Sequence, residues 1–444
     1  MHKLRALLIT CLLLLSTLKG SGQGKFDELI SRVNENLKAI DKDGYLRDRI
    51  KITDTTFTLR DLKLKPEFTI AWKYVPSLLN YLENKDPEFA AMEFRAGVLS
   101  SAARGGLNKV QVSPTTIKGL VVALDPGHFA GSPAEAIWED KYVKIRGKDI
   151  GLSNDVFFYE SDINDLTSAI VESRLISLGA VPVRSRPFKS SAFGKSFKKW
   201  MEEDFRTTLD TERALKTITD YDYKIYSQVI TPYDSQYLFH HYYRNLEFKR
   251  RMLNIMHSKA ALTINIHYNA HEKDIRDTDG FNKPVTVNYS MAFVAGGFMS
   301  NELSTDREKV DFIRLLLSSE IKQSIQLASA ILKAEKRQTT IPQVTEADIS
   351  LSEIKSSLSG EPGVMHRNLA MNRIVHGPVA YLEALLQDND KMVPLLVKRD
   401  YEFIHPVYGK LYAPMICKKV ADAIVEGIQE WVKANENNRS KISK

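Results

Sequence analysis

The chain has 444 residues, 43% of them hydrophobic and 26% charged, with a formal net charge of +7. Such a composition builds one large core or two moderate ones and excludes collagen-like, low-complexity and many-helix membrane proteins. The basic excess is spread along the chain without a dense basic block interleaved with aromatics, so no nucleic-acid partner is expected, although a weak pull toward an anionic wall polymer or membrane surface fits the charge.

Residues 1–22 read as a secretory signal. His2, Lys3 and Arg5 supply a positive start, Ala6 to Leu18 a short apolar run, and Gly20-Ser21-Gly22 a small-residue site before Gln23. The run is short for a transmembrane helix, so no stable membrane span is expected once it is removed. Cys11 lies inside the run behind Thr10, not behind the small residue that lipid attachment wants, which argues against an anchor. Without the signal only Cys417 remains, which excludes an intrachain disulfide, and subtracting Lys3, Arg5 and Lys19 from +7 leaves +4.

Residues 23–115 read as a small, mainly helical region. Phe26, Leu29, Ile30, Val33, Leu37 and Ile40 recur at helical spacing, and further apolar patterns run over Val75 to Leu82 and Phe89 to Leu99. Arg104-Gly105-Gly106 marks a linker. From there, over 116–435, short apolar runs alternate with helical patterns, the signature of an α/β domain with a largely parallel central sheet flanked by helices. Expected strands are Gly119 to Leu124, Ala180 to Arg184, Ala261 to His267, Tyr289 to Ala295 and Pro378 to Glu383. Expected helices are Ile163 to Leu178, Leu246 to His257, one long helix from Lys309 to Glu335, and a closing helix from Ala413 to Val432 before a polar tail over 436–444. Residues 187–245 break the rhythm as an ordered insertion: thirteen aromatic residues from Phe188 to Tyr243 are too many for a solvated linker.

Two apolar strands each deliver a histidine at the carboxyl end, where ligands collect in open α/β sheets. One runs through Leu124-Asp125-Pro126-Gly127-His128, the other through Ile264-Asn265-Ile266-His267-Tyr268-Asn269-Ala270. Two neutral imidazoles with a carboxylate suit zinc. Glu160 opens a helix, where an acid is also favourable for the dipole alone. Glu383 ends an interior strand, where a carboxylate needs a partner or a task.

In their order these segments resemble the zinc-dependent N-acetylmuramoyl-L-alanine amidases. The family pattern is a strand ending Asp-Pro-Gly-His, a Glu beginning a helix that closes with Gly, an Arg-bearing helix before a strand ending Ile-His-x-Asn-Ala, and a last strand ending in Glu. Here the matching residues are His128, Glu160 with Gly179, Arg251 with His267 to Ala270, and Glu383. The resemblance implies a zinc hydrolase fold, one zinc ion held by His128, Glu160 and His267, Glu383 as general base and acid, and peptidoglycan as substrate. It also implies secondary roles: Asp125 orienting a ligand histidine or stabilising its turn, Arg251 holding a substrate carboxylate or serving as an ion-pair partner, and Asn269 lining the site.

Departures from the pattern are Phe129-Ala130-Gly131 in place of Gly-Gly after the first histidine, a longer loop to Glu160 that makes Glu135 and Glu139 rival ligands, Asn265 in place of Ser, and Ala384 to Asn389 after the last Glu. His240, His241 and His271 are expected to hold no metal, since His271-Glu272 lacks a second histidine four residues on; His376 is a candidate pocket residue. The insertion is read as a lid, an inhibitory segment moved by a protein activator, or a rim whose rings stack on sugars; an ordinary packed subdomain suits those rings equally well. Competing functions are a zinc carboxypeptidase or aminopeptidase, against whose carboxypeptidase form Gly131 counts, because a Glu ligand belongs three residues after the first histidine, and an inactive wall-binding protein. The product is expected outside the cytoplasm, periplasmic or secreted.

Overall fold

The computed structural model describes residues 26–41, 44–105, 113–228, 232–271, 276–299, 302–350 and 356–442. The expected signal and the Gly106 side of the linker lie outside them. Three apolar segments become the interior of a seven-stranded sheet: β4 (Val121–Pro126), β8 (Leu262–Asn269) and β12 (Val379–Leu386). Their near-complete burial fits strands covered on both faces, which read as continuous apolar runs. With β7 (Val181–Arg184), β9 (Met291–Val294), β10 (Ser357–Leu358) and β11 (Val364–His366), the order is β10-β11-β9-β12-β8-β4-β7; outside it β5 (Tyr142–Ile145) pairs with β6 (Val156–Tyr159), and β13 (Tyr401–His405) with β14 (Gly409–Ala413). The four strands β12, β8, β4 and β7 run parallel, whereas β9 runs antiparallel to β12.

Side-chain alternation sorts the strands onto two faces. Leu124, Leu262, Ile264, Ile266 and Leu382 meet the helices Glu160–Ser177, Glu320–Thr339 and Met415–Ile442 in the largest core. On the other face Ala123 and Val379 pack against Met252, Ile255 and Met371, from the helices Arg244–Ser258 and Ala370–Ile374. The closing helix continues through the expected polar tail as far as Ile442. Among the described residues no helix is long and apolar enough to cross a membrane.

One expectation is corrected. The helix expected from Lys309 to Glu335 is two helices, Asp306–Leu317 and Glu320–Thr339, broken at Ser318-Ser319. The break is held from outside: Asn36 Nδ2 donates to the carbonyls of Leu316 (2.9 Å) and Ser318 (2.8 Å), and Arg32 donates to that of Leu317 (3.1 Å). Those carbonyls would be orphaned at any helix end. The region over 23–115 holds more than helices. Between its helices lies an antiparallel sheet of β1 (Ile50–Ile52), β2 (Thr56–Arg60) and β3 (Pro66–Ala71). This region shares one core with the rest, Phe57, Ile70 and Leu78 packing in the same cluster as Phe298, Phe312 and Leu316.

The insertion holds the helices Phe197–Glu203, Phe205–Ala214, Asp220–Ser227 and Pro232–Leu238 and a π turn, Phe239–Tyr243. Its rings Phe197, Trp200, Phe205, Phe239, Tyr242 and Tyr243 form one apolar cluster with Phe129 from outside the insertion. Among its described rings, Tyr221 (72%) and Tyr237 (41%) are the markedly exposed ones.

Candidate metal centre

Parallel pairing brings the carboxyl ends of β4, β8 and β12 to one edge. In register, Asp125 lies beside Asn265 and Asn265 beside Tyr381; two residues on, His267 lies beside Glu383. These side chains leave the sheet on the face opposite Ile266 and Leu382. The helix Glu160–Ser177 adds its first residue from above, so three distant segments meet. His128 Nε2 lies 3.2 Å from Glu160 Oε2, and His267 Nδ1 lies 3.0 Å from Glu160 Oε1. One ligand atom from each of His128, Glu160 and His267 falls within 4.8 Å of the others. Zinc–ligand bonds of about 2.0–2.1 Å in a tetrahedron separate ligand atoms by roughly 3.3 Å, so this donor set fits the ion.

The turn before His128 is built for closeness. A Cβ on Gly127 would sit 2.1 Å from Cε1 of His267, so only glycine admits that imidazole. His128 itself has φ +57°, a left-handed conformation that L residues adopt at a cost. Buried arginines grip the turn: Arg186 Nε and Arg251 Nη1 donate to the Pro126 carbonyl (3.1 and 3.2 Å), and Asn164 Nδ2 donates to that of Gly127 (3.0 Å). Arg186 is paired in turn with Asp165 at 2.6 Å.

Glu160 accepts further hydrogen bonds from the Tyr268 amide (3.2 Å) and Gln387 Nε2 (3.3 Å), which aim both of its oxygens. Burial raises its pKa, but His128 and then His267 outweigh that and hold it well below the usual carboxylate range. For His128 burial opposes the charge, yet Glu160 and Glu139 push its pKa up to about 9. Burial lowers that of His267, whose ring stacks on Tyr381 with centroids 4.4 Å apart. Burial, followed by the nearby Glu160 carboxylate, pushes Glu383 up to about 8.

Other expected residues fall elsewhere. Asp125 accepts from Ser185 Oγ and pairs with Arg251 at 3.1 Å, and among the described residues no histidine is its hydrogen-bond partner. Arg251 is buried and ion-paired to both Asp125 (3.1 Å) and Glu247 (2.9 Å). Asn269 ends β8, half-buried, its carbonyl accepting from the Gln387 amide at 2.7 Å. His376 lies at the opposite end of β12 from Glu383, half-buried near Arg314 and Arg307. His240 and His241 belong to the π turn. Neither rival acid joins the cluster: Glu135 accepts from the Gly131 amide (2.8 Å), and Glu139 faces His128 Nδ1. Sequence reasoning missed Tyr381, Asn164, Asp165, Arg186 and Gln387. Tyr381 alone had a local signal, standing two residues before Glu383 on the same strand face.

No protein-family model matches this chain, and no curated protein matches it. Among solved structures it is similar to the CwlD amidase from Clostridioides difficile in complex with the GerS lipoprotein, at 15% identity and TM-score 0.37, covering 71% of this chain and 100% of that one. It is similar to the N-acetylmuramyl-L-alanine amidase Ami1 from Mycobacterium smegmatis, at 15% identity and TM-score 0.38, covering 72% and 99%. A third is the catalytic domain of CwlV, an N-acetylmuramoyl-L-alanine amidase from Bacillus (Paenibacillus) polymyxa var. colistinus, at 15% identity and TM-score 0.34, covering 70% and 97%. Ami1 and CwlV carry the name of the amidase family that the sequence motifs resemble.

Proposed function

We propose that this protein is an exported, zinc-dependent N-acetylmuramoyl-L-alanine amidase acting on peptidoglycan. The observation that carries the reading is the meeting of His128, Glu160 and His267 within 4.8 Å, with Glu383 on the adjoining strand. His128, Glu160 and His267 would hold a zinc ion, which would supply Lewis acidity toward the amide carbonyl and lower the pKa of water to about 7. Glu383 takes the proton of the attacking water and hands it to the nitrogen as the carbon–nitrogen bond breaks, leaving a lactyl carboxylate and a free alanine amine. Tyr381 stacks on His267 to keep its ring in one plane, and Gln387 with the Tyr268 amide keeps Glu160 from turning. A protein activator acting on the insertion over 187–245 belongs to the same proposal, because the insertion's core holds Phe129, next to His128.

Digestion of purified peptidoglycan tests the reading. Stem peptides with a free amino-terminal alanine should appear, vanish on chelation and return with zinc. Glu383→Gln should keep one zinc per chain yet lower kcat by roughly 10²–10⁴. Bound zinc with cleavage only between amino acids would make the chain a peptidase; an ion-free, inactive protein would make it a wall-binding relative.

A further inference from the structure

We infer that Glu139 is a positioning residue of the metal centre, fixing the His128 imidazole so that Nε2 faces the ion; this rests on the metal-dependent reading above. Glu139 ends the helix Pro133–Glu139, inside the lengthened loop between His128 and Glu160. Its Oε1 lies 3.0 Å from His128 Nδ1, while His128 Nε2 lies 3.2 Å from Glu160 on the far side of the ring. The imidazole therefore stands between Glu139 and the ion position. A carboxylate there accepts the Nδ1 proton, and that leaves the Nε2 lone pair for the metal.

The same carboxylate holds the backbone. Glu139 Oε2 accepts from the amides of Phe129 (3.4 Å) and Ala130 (3.2 Å), the two residues after the left-handed His128. At 5% exposure the group is out of water and keeps its place through these partners.

The aromatic insertion clamps both neighbours of the pair. Trp138, before Glu139, packs edge-on against Phe197 and Phe239, with centroids 6.0 and 5.7 Å apart. Phe129, after His128, packs on the same Phe239 at 5.4 Å and on Tyr243 at 5.7 Å. The insertion thus packs on the chain neighbour of each member of the His128–Glu139 pair.

Zinc affinity of the full chain, measured by competition with a chromophoric chelator, tests this without any substrate. Glu139→Gln places an amide where one carboxylate now satisfies a ring N–H and two backbone amides. It should weaken zinc binding roughly 10- to 100-fold while the metal-free variant melts close to the metal-free wild type. Glu139→Asp, which keeps the charge but draws it back by one methylene, should also bind more weakly and serves if the Gln variant does not fold. Trp138→Leu should weaken binding through the clamp alone. Wild-type affinity in Glu139→Gln or Glu139→Asp would overturn the positioning role and leave the functional reading standing. A wild-type protein that takes up no ion would overturn both.

Discussion

A methyl group on Gly127 would come within 2.1 Å of the His267 ring, so this glycine is needed for room rather than for backbone freedom. Gly127→Ala must push either the turn or the imidazole aside. A misplacement of about 1 Å near the chemistry costs roughly 100-fold in rate; kcat/KM should fall by at least that, with bound zinc lost in parallel in metal analysis. His128 gives a pH signature in the metal-free protein. Its pKa of about 9 lies above the ordinary 6.5 of histidine, because Glu160 and Glu139 outweigh burial. Stability from this charge is fully present below 6.5 and is lost as the pH rises through about 9. The same proton competes with the ion, so zinc affinity should climb between neutral pH and about 9 and then level off. Calorimetric titrations in buffers of different ionisation enthalpy would count the proton released; no release at neutral pH would show that His128 was already neutral.

Among the elements, the break at Ser318-Ser319 shows how a helix end is set by a partner far away in sequence. Asn36 is almost fully buried, and its amide reaches carbonyls 279 to 282 residues later in the chain. Asn36→Leu keeps the volume but leaves buried acceptors unpaired, which costs about 1–3 kcal/mol. A fall in Tm of several degrees in a thermal melt is expected. An unchanged Tm would mean that the carbonyls find other donors. The insertion follows a related logic: its rings share a core with Phe129 and Trp138, which lie far from most of them in the chain.

For the whole molecule, the helices Glu320–Thr339 and Met415–Ile442 both contribute to the largest core, and Glu335, on the first of them, is buried with both oxygens lacking a hydrogen-bond partner among the described residues. Burial alone raises its pKa well above 4.5. Below 4.5 the folded and unfolded chains are both protonated and nothing is gained or lost. Above it the unfolded chain ionises while the folded one does not, so stability drains as the pH rises toward the folded value. Glu335→Met fills the same space without a titrating group. Tm should rise at neutral pH and the gap to wild type should close near 4.5; an equal gap at both pH values would show that packing, not ionisation, is responsible.

Read by itself, the sequence determined what is local: which runs are strands, which histidines and acids stand at their ends, and the order of those segments. His128, His267 and Glu383 were legible because a strand delivers its terminal residue to the sheet edge whatever surrounds it. Alternation in Thr56–Arg60 and in Glu67–Ala71 could have shown β2 and β3 too, had helical spacing nearby not drawn the reading. Tertiary structure alone decided the rest. That Glu139 serves His128 while Glu160 faces both histidines depends on where two helices cross a sheet edge. Asn36, Arg186 and Gln387 likewise meet their partners across long stretches of chain. Apolar periodicity is written along the chain because a core face must repeat, but a buried polar pair is a single crossing, and a single crossing leaves no period in the sequence.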